Sequence, residues 1–407
     1  MKKILLMLVC LLMCLIAGCG KSLDDKGTDV VADVGEIDVA TISDSAVAFD
    51  NAGYYHVWYT NVTYVDSEHQ DQQKKEVYAA DNMEGLLGLM YHQESLYVIS
   101  VESDMVGDQV SDIWRIKSWN ADQKEEKCVV EESGENLMIY SMAAVGNTLY
   151  YTVAFMEENF QIGATSYNYG RAEVWSVNLD SGEKKRILEL EGSKEQFSNA
   201  LILTNGNYED SETLLVRYEY AVLEESGEVQ GKVDLYHLNL HTQKIEKMEA
   251  CTINGSMDAA YIYQKLLYYC EGNGEKTDYK YMDMNTREIK TVLTSDMYGL
   301  MTPEYISFTT YGKESRRFLY YYKDGKLLVS VKEASKTPRI IGANKQYVAL
   351  NEMDYSKRTD DQTDQGIYKI AENDSFVKEY YKEYAGECSD TIAYFGLDGG
   401  EGPATTQ

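Results

Sequence analysis

Seven times along the chain an apolar, aromatic-rich run of four or five residues precedes a segment that alternates polar and apolar positions around one bulky residue. The first kind of run is Tyr55–Tyr59, Leu96–Ile99, Leu149–Thr152, Leu214–Tyr218, Leu266–Tyr269, Phe318–Tyr322 and Tyr347–Leu350. The central residues of the second kind are Tyr78, Trp114, Trp175, Tyr236, Tyr281, Leu328 and Tyr368. Period-two alternation over such short runs predicts strands, and the polar turns that follow at 174–188, 235–248 and 281–293 predict hairpins. A short apolar piece before the aromatic run, as at Ala200–Leu203, Ala259–Ile262 or Tyr305–Phe308, supplies one more strand. The repeat unit is then four antiparallel strands: a first, the aromatic second, the alternating third and an outer fourth.

A four-stranded antiparallel unit repeated along one chain is the blade of a β-propeller, so the expected fold class is all-β, a propeller of seven four-stranded blades. Six or eight blades stay open, because only 19 residues separate Tyr78 from Tyr97 and 19 separate Leu328 from Tyr347. Those two intervals are too short for a fourth and a first strand of the usual length. Two terminal segments are candidates to close the ring: Gly35 to Ile42 as an outer strand of the last blade, or Thr391 to Leu397 from the other end.

The chain opens with Lys2, Lys3 and an apolar run from Ile4 to Ile16, the charged and hydrophobic parts of an export signal and too short to span a bilayer. Ile16, Ala17, Gly18 and Cys19 follow, a string that resembles the lipobox of bacterial lipoprotein precursors. That resemblance implies cleavage before Cys19 and lipidation of its thiol with palmitate-type acyl chains, which would hold the protein on the extracytoplasmic side of a cell membrane. The expected organisation is a signal peptide over 1–18, a tether over 19–44, the propeller over 45–397 and a tail over 398–407.

The blade pattern of apolar-Tyr-Tyr, then aspartate, aromatic and a Gly-containing turn, resembles bacterial propellers of the Tol-Pal periplasmic type and lipoprotein propellers of unassigned function. The resemblance is architectural, spans about residues 45–382 and carries no catalytic residue.

The formal charge of -29 becomes about -31 once the two lysines of the signal leave, which disfavours nucleic acid as a partner. Of seven cysteines, Cys128, Cys251, Cys270 and Cys388 remain in the mature body; their spacing matches no zinc pattern, a Cys251–Cys270 bridge is not favoured, and four buried thiols are expected. No HExxH, GxSxG or phosphate-binding glycine loop is present, and His237 and His241 are expected at the surface. Sixty-seven acidic residues make any glycosidase-like pair uninformative, and the clusters at 209–212 and 360–364 lack calcium-loop spacing.

Two features single out a surface. Phe160, Tyr167, Tyr169 and Arg171 fall in what reads as an insertion between a second and a third strand, a candidate ligand platform. The connections between second and third strands and those between blades share one face, and their sequences sum to about -25, against about zero on the other face. Asp104 and Asp108 belong to this acidic face, which is expected to receive a cationic protein or small-ligand partner or a divalent metal; no other cofactor is indicated. The expected function is a non-enzymatic binding module, with a surface polysaccharide hydrolase and an accessory or sensor subunit of an envelope transporter or signalling system as alternatives.

Overall fold

The structure is a computed structural model. It describes residues 84–106, 109–120, 125–134, 136–203, 213–248 and 276–295 continuously and, elsewhere between 41 and 369, the strands named below. Among the described residues every regular element is a strand. No helix there is long and apolar enough to cross a membrane.

The strands form seven separate antiparallel sheets. Sheet I is β2(Val47–Phe49), β3(Gly53–Trp58), β4(Asn61–Asp66) and β5(Lys75–Ala79). Sheet II is β6(Glu84–His92), β7(Ser95–Val106), β8(Gln109–Asn120) and β9(Glu125–Gly134). Sheet III is β10(Leu137–Val145), β11(Thr148–Ile162), β12(Thr165–Asn178) and β13(Lys184–Glu191), with β1(Thr41–Ser43) added beside β10. Sheet IV is β14(Gln196–Leu203), β15(Thr213–Leu223), β16(Val229–Asn239) and β17(Lys244–Lys247), and β18(Ile253–Asn254) continues the outer edge on β16. Sheet V is β19(Tyr261–Tyr263), β20(Leu266–Asn273), β21(Lys276–Asp283) and β22(Ile289–Ser295). Sheet VI is β23(Tyr298–Met301), β24(Tyr305–Thr309), β25(Arg316–Tyr321) and β26(Lys326–Lys332), and sheet VII is β27(Lys336–Ala343), β28(Tyr347–Asp354) and β29(Thr363–Lys369).

Apart from β1 and β18, the strands of each sheet follow in chain order, each paired with the next, which is the blade meander of a β-propeller. Two compact units hold these sheets: II, III and IV in the first, and I, V, VI and VII in the second. In the second unit β2 and β4 of the first sheet lie against β27 and β29 of the last, respectively.

The register corrects three assignments. Tyr78 lies on β5, a fourth strand, because the short β4 already occupies the third place. Phe318–Tyr321 belong to β25, a third strand, Leu328 to the fourth strand β26, and Tyr305–Phe308 to a second strand, β24. The two 19-residue intervals therefore run from a fourth strand to the next second strand, and neither lacks a strand. Thr41 and Ile42, expected on the outer edge of the last blade, pair instead with Ala144 and Ala143 of β10, the first strand of sheet III. Residues 35–40 and Thr391–Leu397 lie outside the described residues.

The core of the first unit lies between sheets II and III. Ile99, Val101, Trp114 and Ile116 of one meet Ile139, Met142, Tyr151 and Val153 of the other, all nearly inaccessible to water. Trp114 and Tyr236 are buried, as expected for central residues of third strands, whereas Trp175 and Tyr281 are half-buried. For Trp175 the reason is polar: its indole donates to Glu173 at 2.7 Å and its ring lies 5.3 Å below the Lys184 ammonium. Cys270 is buried, but Cys128 is exposed near the start of β9; Cys251 and Cys388 are outside the described residues.

Candidate functional site: the hairpin end of the first unit

In sheets II, III and IV the second and third strands outrun the first and fourth, with β11 and β12 reaching 15 and 14 residues against 9 and 8 for β10 and β13. The overrun lies at the hairpins joining second to third strands. These hairpins share one end of the unit. Phe197, at the start of β14, packs against Phe160 and Tyr167 near the β11–β12 tip, while Leu203, at the end of β14, donates its backbone N–H to Ser141 midway along β10. Because β14 starts opposite Val222, the β15–β16 tip stands at that same end. Sheets II and III are matched at the opposite end, where the His92 ring meets the Gly146 carbonyl at 2.7 Å between two first-to-second turns.

The segment holding Phe160, Tyr167, Tyr169 and Arg171 is not a loop. After a bulge between Phe155 and Glu158 it continues as a regular ladder to Ile162 and back from Thr165. Phe160 faces Tyr167 across the strands, and the two rings lie 5.1 and 4.8 Å from the fully buried Phe197, while Tyr169 packs on Phe160 at 5.9 Å. This arrangement fastens sheet III to sheet IV, so the rings spend their area on packing. Arg171 lies 4.3 Å over the Phe155 ring and donates to Glu157 at 2.8 Å and Glu173 at 3.1 Å. Burial opposes its charge, but the Glu157 hydrogen bond and the charges of Glu173, Glu157 and Glu189 hold its pKa above the ordinary value.

A bulge in β14 puts Ser198 at a φ of 59° and turns the Asn199 side chain toward Gly170. The Gly170 N–H donates to Asn199 Oδ1 at 3.0 Å, and Asn199 Nδ2 donates to the Gly170 carbonyl at 2.6 Å. Gly170 is obligatory, since a Cβ there would stand 1.8 Å from the Phe155 carbonyl oxygen. The β11–β12 hairpin is thus seated on sheet IV.

What the hairpin end presents outward is mainly carboxylate, with Lys194 among the acids. Glu157, Glu158, Glu191, Glu195, Glu225 and Glu228 are all exposed there. Burial and the neighbouring charges of Glu189 and Glu157 raise the Glu191 pKa. At the β15–β16 tip, Leu223 and Val229 form a directly opposed pair that is 46% and 38% exposed between these acids. Asp104 pairs through its backbone with Ser111 on the β7–β8 overrun, and Asp108 lies outside the described residues.

A second set of carboxylates is turned inward, on the third strands, and the sequence reading passed over it. Glu173 is 1% exposed and accepts from Arg171, Arg186 and Trp175. Asp234 pairs with Lys247, and Asp278 accepts from Thr294 at 2.6 Å and pairs with Lys280 at 3.2 Å. The legible signal was an acid two residues before the central aromatic, in Asp112-Ile113-Trp114, Glu173-Val174-Trp175 and Asp234-Leu235-Tyr236. These acids tie third strands to their neighbours and are engaged with cations or donors. Among the described residues no group of three or more His, Cys, Asp or Glu is placed to hold a metal ion. His237 is partly exposed, 3.5 Å from Glu246, and His241 is exposed.

No family model matches the chain, and no curated protein does. Among solved structures, oligogalacturonate lyase in complex with manganese is 11% identical, with a TM-score of 0.41 over 66% of this chain and 74% of that one. TolB from Acinetobacter baumannii is 11% identical, with a TM-score of 0.35 over 70% of this chain and 61% of that one. The β-propeller domain of the Trilobed protease from Pyrococcus furiosus is 13% identical, with a TM-score of 0.30 over 72% of this chain and 97% of that one. At such identities no residue role, substrate or metal passes to this chain.

Proposed function

We propose that the chain is a lipid-anchored, extracytoplasmic, non-enzymatic binding module whose hairpin end receives a cationic partner. One observation carries the binding part of the reading. Two neighbouring hairpins, β11–β12 and β15–β16, expose the carboxylates Glu158, Glu225 and Glu228, while the inward acids Glu173, Asp234 and Asp278 are engaged in holding strands together. Clustered exposed charge of one sign on a rigid seat raises the local concentration of a partner of opposite sign. The anchor rests on Cys19 and the small-residue run before it, which lie outside the described residues.

Mass spectrometry of the protein from the membrane fraction tests the anchor: Cys19 is expected as the lipidated N-terminal residue, and an unmodified Cys19 would sink that part. Photo-crosslinking in intact cells tests the binding part. Adducts are expected from a photoreactive residue at Ala164 or Glu225, weakening as salt rises towards ~0.5 M, where the Debye length falls to a few Å. Adducts confined to Glu183, at the opposite end, would overturn the assignment.

A further inference from the structure

β1 joins sheet III from far outside its run of strands, and its direction fixes the end of the unit at which Thr41 stands. Thr41 pairs with Ala144 and Ser43 with Met142, antiparallel to β10. β10 begins at the hairpin end, just after Gly134, and finishes at Val145 beside the turn that meets His92. β1 therefore runs from the turn end inward, and Thr41, its first residue, stands at the turn end.

The two ends differ in charge. At the turn end, exposed Lys127, Lys184 and Lys244 are interleaved with Glu94, Glu126 and Glu183, so that bases and acids there nearly balance. At the hairpin end the exposed charges are mainly the glutamates named above. The 15 residues of β11 put the tips about 50 Å apart, several Debye lengths at physiological salt.

We infer that the first unit is mounted with its turn end toward the membrane and its hairpin end directed outward. This rests on the lipid anchor at Cys19 proposed above. The mixed charges of the turn end tolerate anionic headgroups, whose negative surface potential repels the glutamates of the hairpin end. Chain direction and charge thus bias the molecule the same way, and the binding surface is held clear of the lipid.

The test uses the full-length lipidated protein on phosphatidylglycerol/phosphatidylcholine vesicles carrying an acceptor dye on the lipid headgroup. A donor fluorophore is introduced through an unnatural amino acid at Ala164, on the hairpin tip, or at Glu183, on the third-to-fourth turn; both positions are exposed. Energy transfer from position 183 is expected to exceed that from 164 at least threefold. Equal or inverted transfer from protein that sediments with the vesicles overturns the mounting and leaves the anchor standing. Protein that stays in the supernatant overturns the anchor and the mounting with it.

Discussion

The two ends of the first unit are built on different principles. At the turn end one local device recurs. Asn178 Oδ1 accepts from the backbone N–H groups of Asp180 and Ser181 at 3.1 and 2.8 Å, and Asn239 does the same for His241 and Thr242 at 3.1 and 2.9 Å. Asp283 repeats it in the second unit with Asn285 and Thr286, and those backbone hydrogen bonds lower its pKa. Each turn then places its fifth residue, Gly182, Gln243 or Arg287, at positive φ. At the hairpin end that device is absent from the β11–β12 and β15–β16 connections, and the β11–β12 overrun is held by a neighbouring sheet through Asn199 and Phe197. A side chain that bonds its own backbone within three residues needs no partner from elsewhere, whereas the overrun needs sheet IV.

The sharpest way to break this contrast is Gly170→Ala. With backbone 1.8 Å from the added Cβ, the bulge has to open, and a loss of about 3 kcal/mol is expected in denaturant titration. A loss below about 1 kcal/mol would show that the overrun does not depend on this close approach. Asn199→Ala is expected to cost about 2 kcal/mol, because it leaves the buried Gly170 N–H without its acceptor. Hydrogen exchange should rise at residues 158–170 and not at 178–183; protection unchanged in both segments would contradict the seating.

Alkali probes the turn end. Burial pushes the Tyr150 phenol up to about 12, although a hydrogen bond with Gln243 works against the shift. A folded pKa above the unfolded one means that this stability is intact below pH 10 and is lost as pH rises through the folded value. The expected loss is about 1 kcal/mol by pH 11, with a smaller loss in Tyr150→Phe. Identical pH profiles for the two proteins would contradict the assignment.

Within the turns, Gly182→Ala forces a Cβ into a φ of 72° and is expected to cost about 1 kcal/mol. Arg287→Gly relieves the same strain at a φ of 65° and is expected to gain about 0.5 kcal/mol. Changes of like sign in the two variants would show that the turns are not equivalent.

The four-strand repeat was readable because period-two alternation and turn chemistry are written within a few residues. Strand order is illegible where a strand is short: β4, only six residues long, reads in sequence as part of a connection, which places Tyr78 one strand too early. The aromatic cluster was found, but its surroundings were not, since a hairpin whose rings dock on Phe197 of the next sheet reads in sequence like an insertion. The inward acids were hidden by abundance, as Glu173 and Glu158 differ only in what the neighbouring strands bring to them.

The sequence by itself determined the all-β class, the repeating unit and the acidity of the second-to-third connections, because each is a property of composition or of a period a few residues long. The tertiary structure alone decided which strand β1 joins, which carboxylates are engaged and which exposed, and that the three hairpins of the first unit share an end. Those outcomes depend on contacts between residues 29 to more than 100 positions apart, such as Gly170 with Asn199 and Thr41 with Ala144. No local period encodes them, since the pairing energy is realised only once the neighbouring sheet is in place.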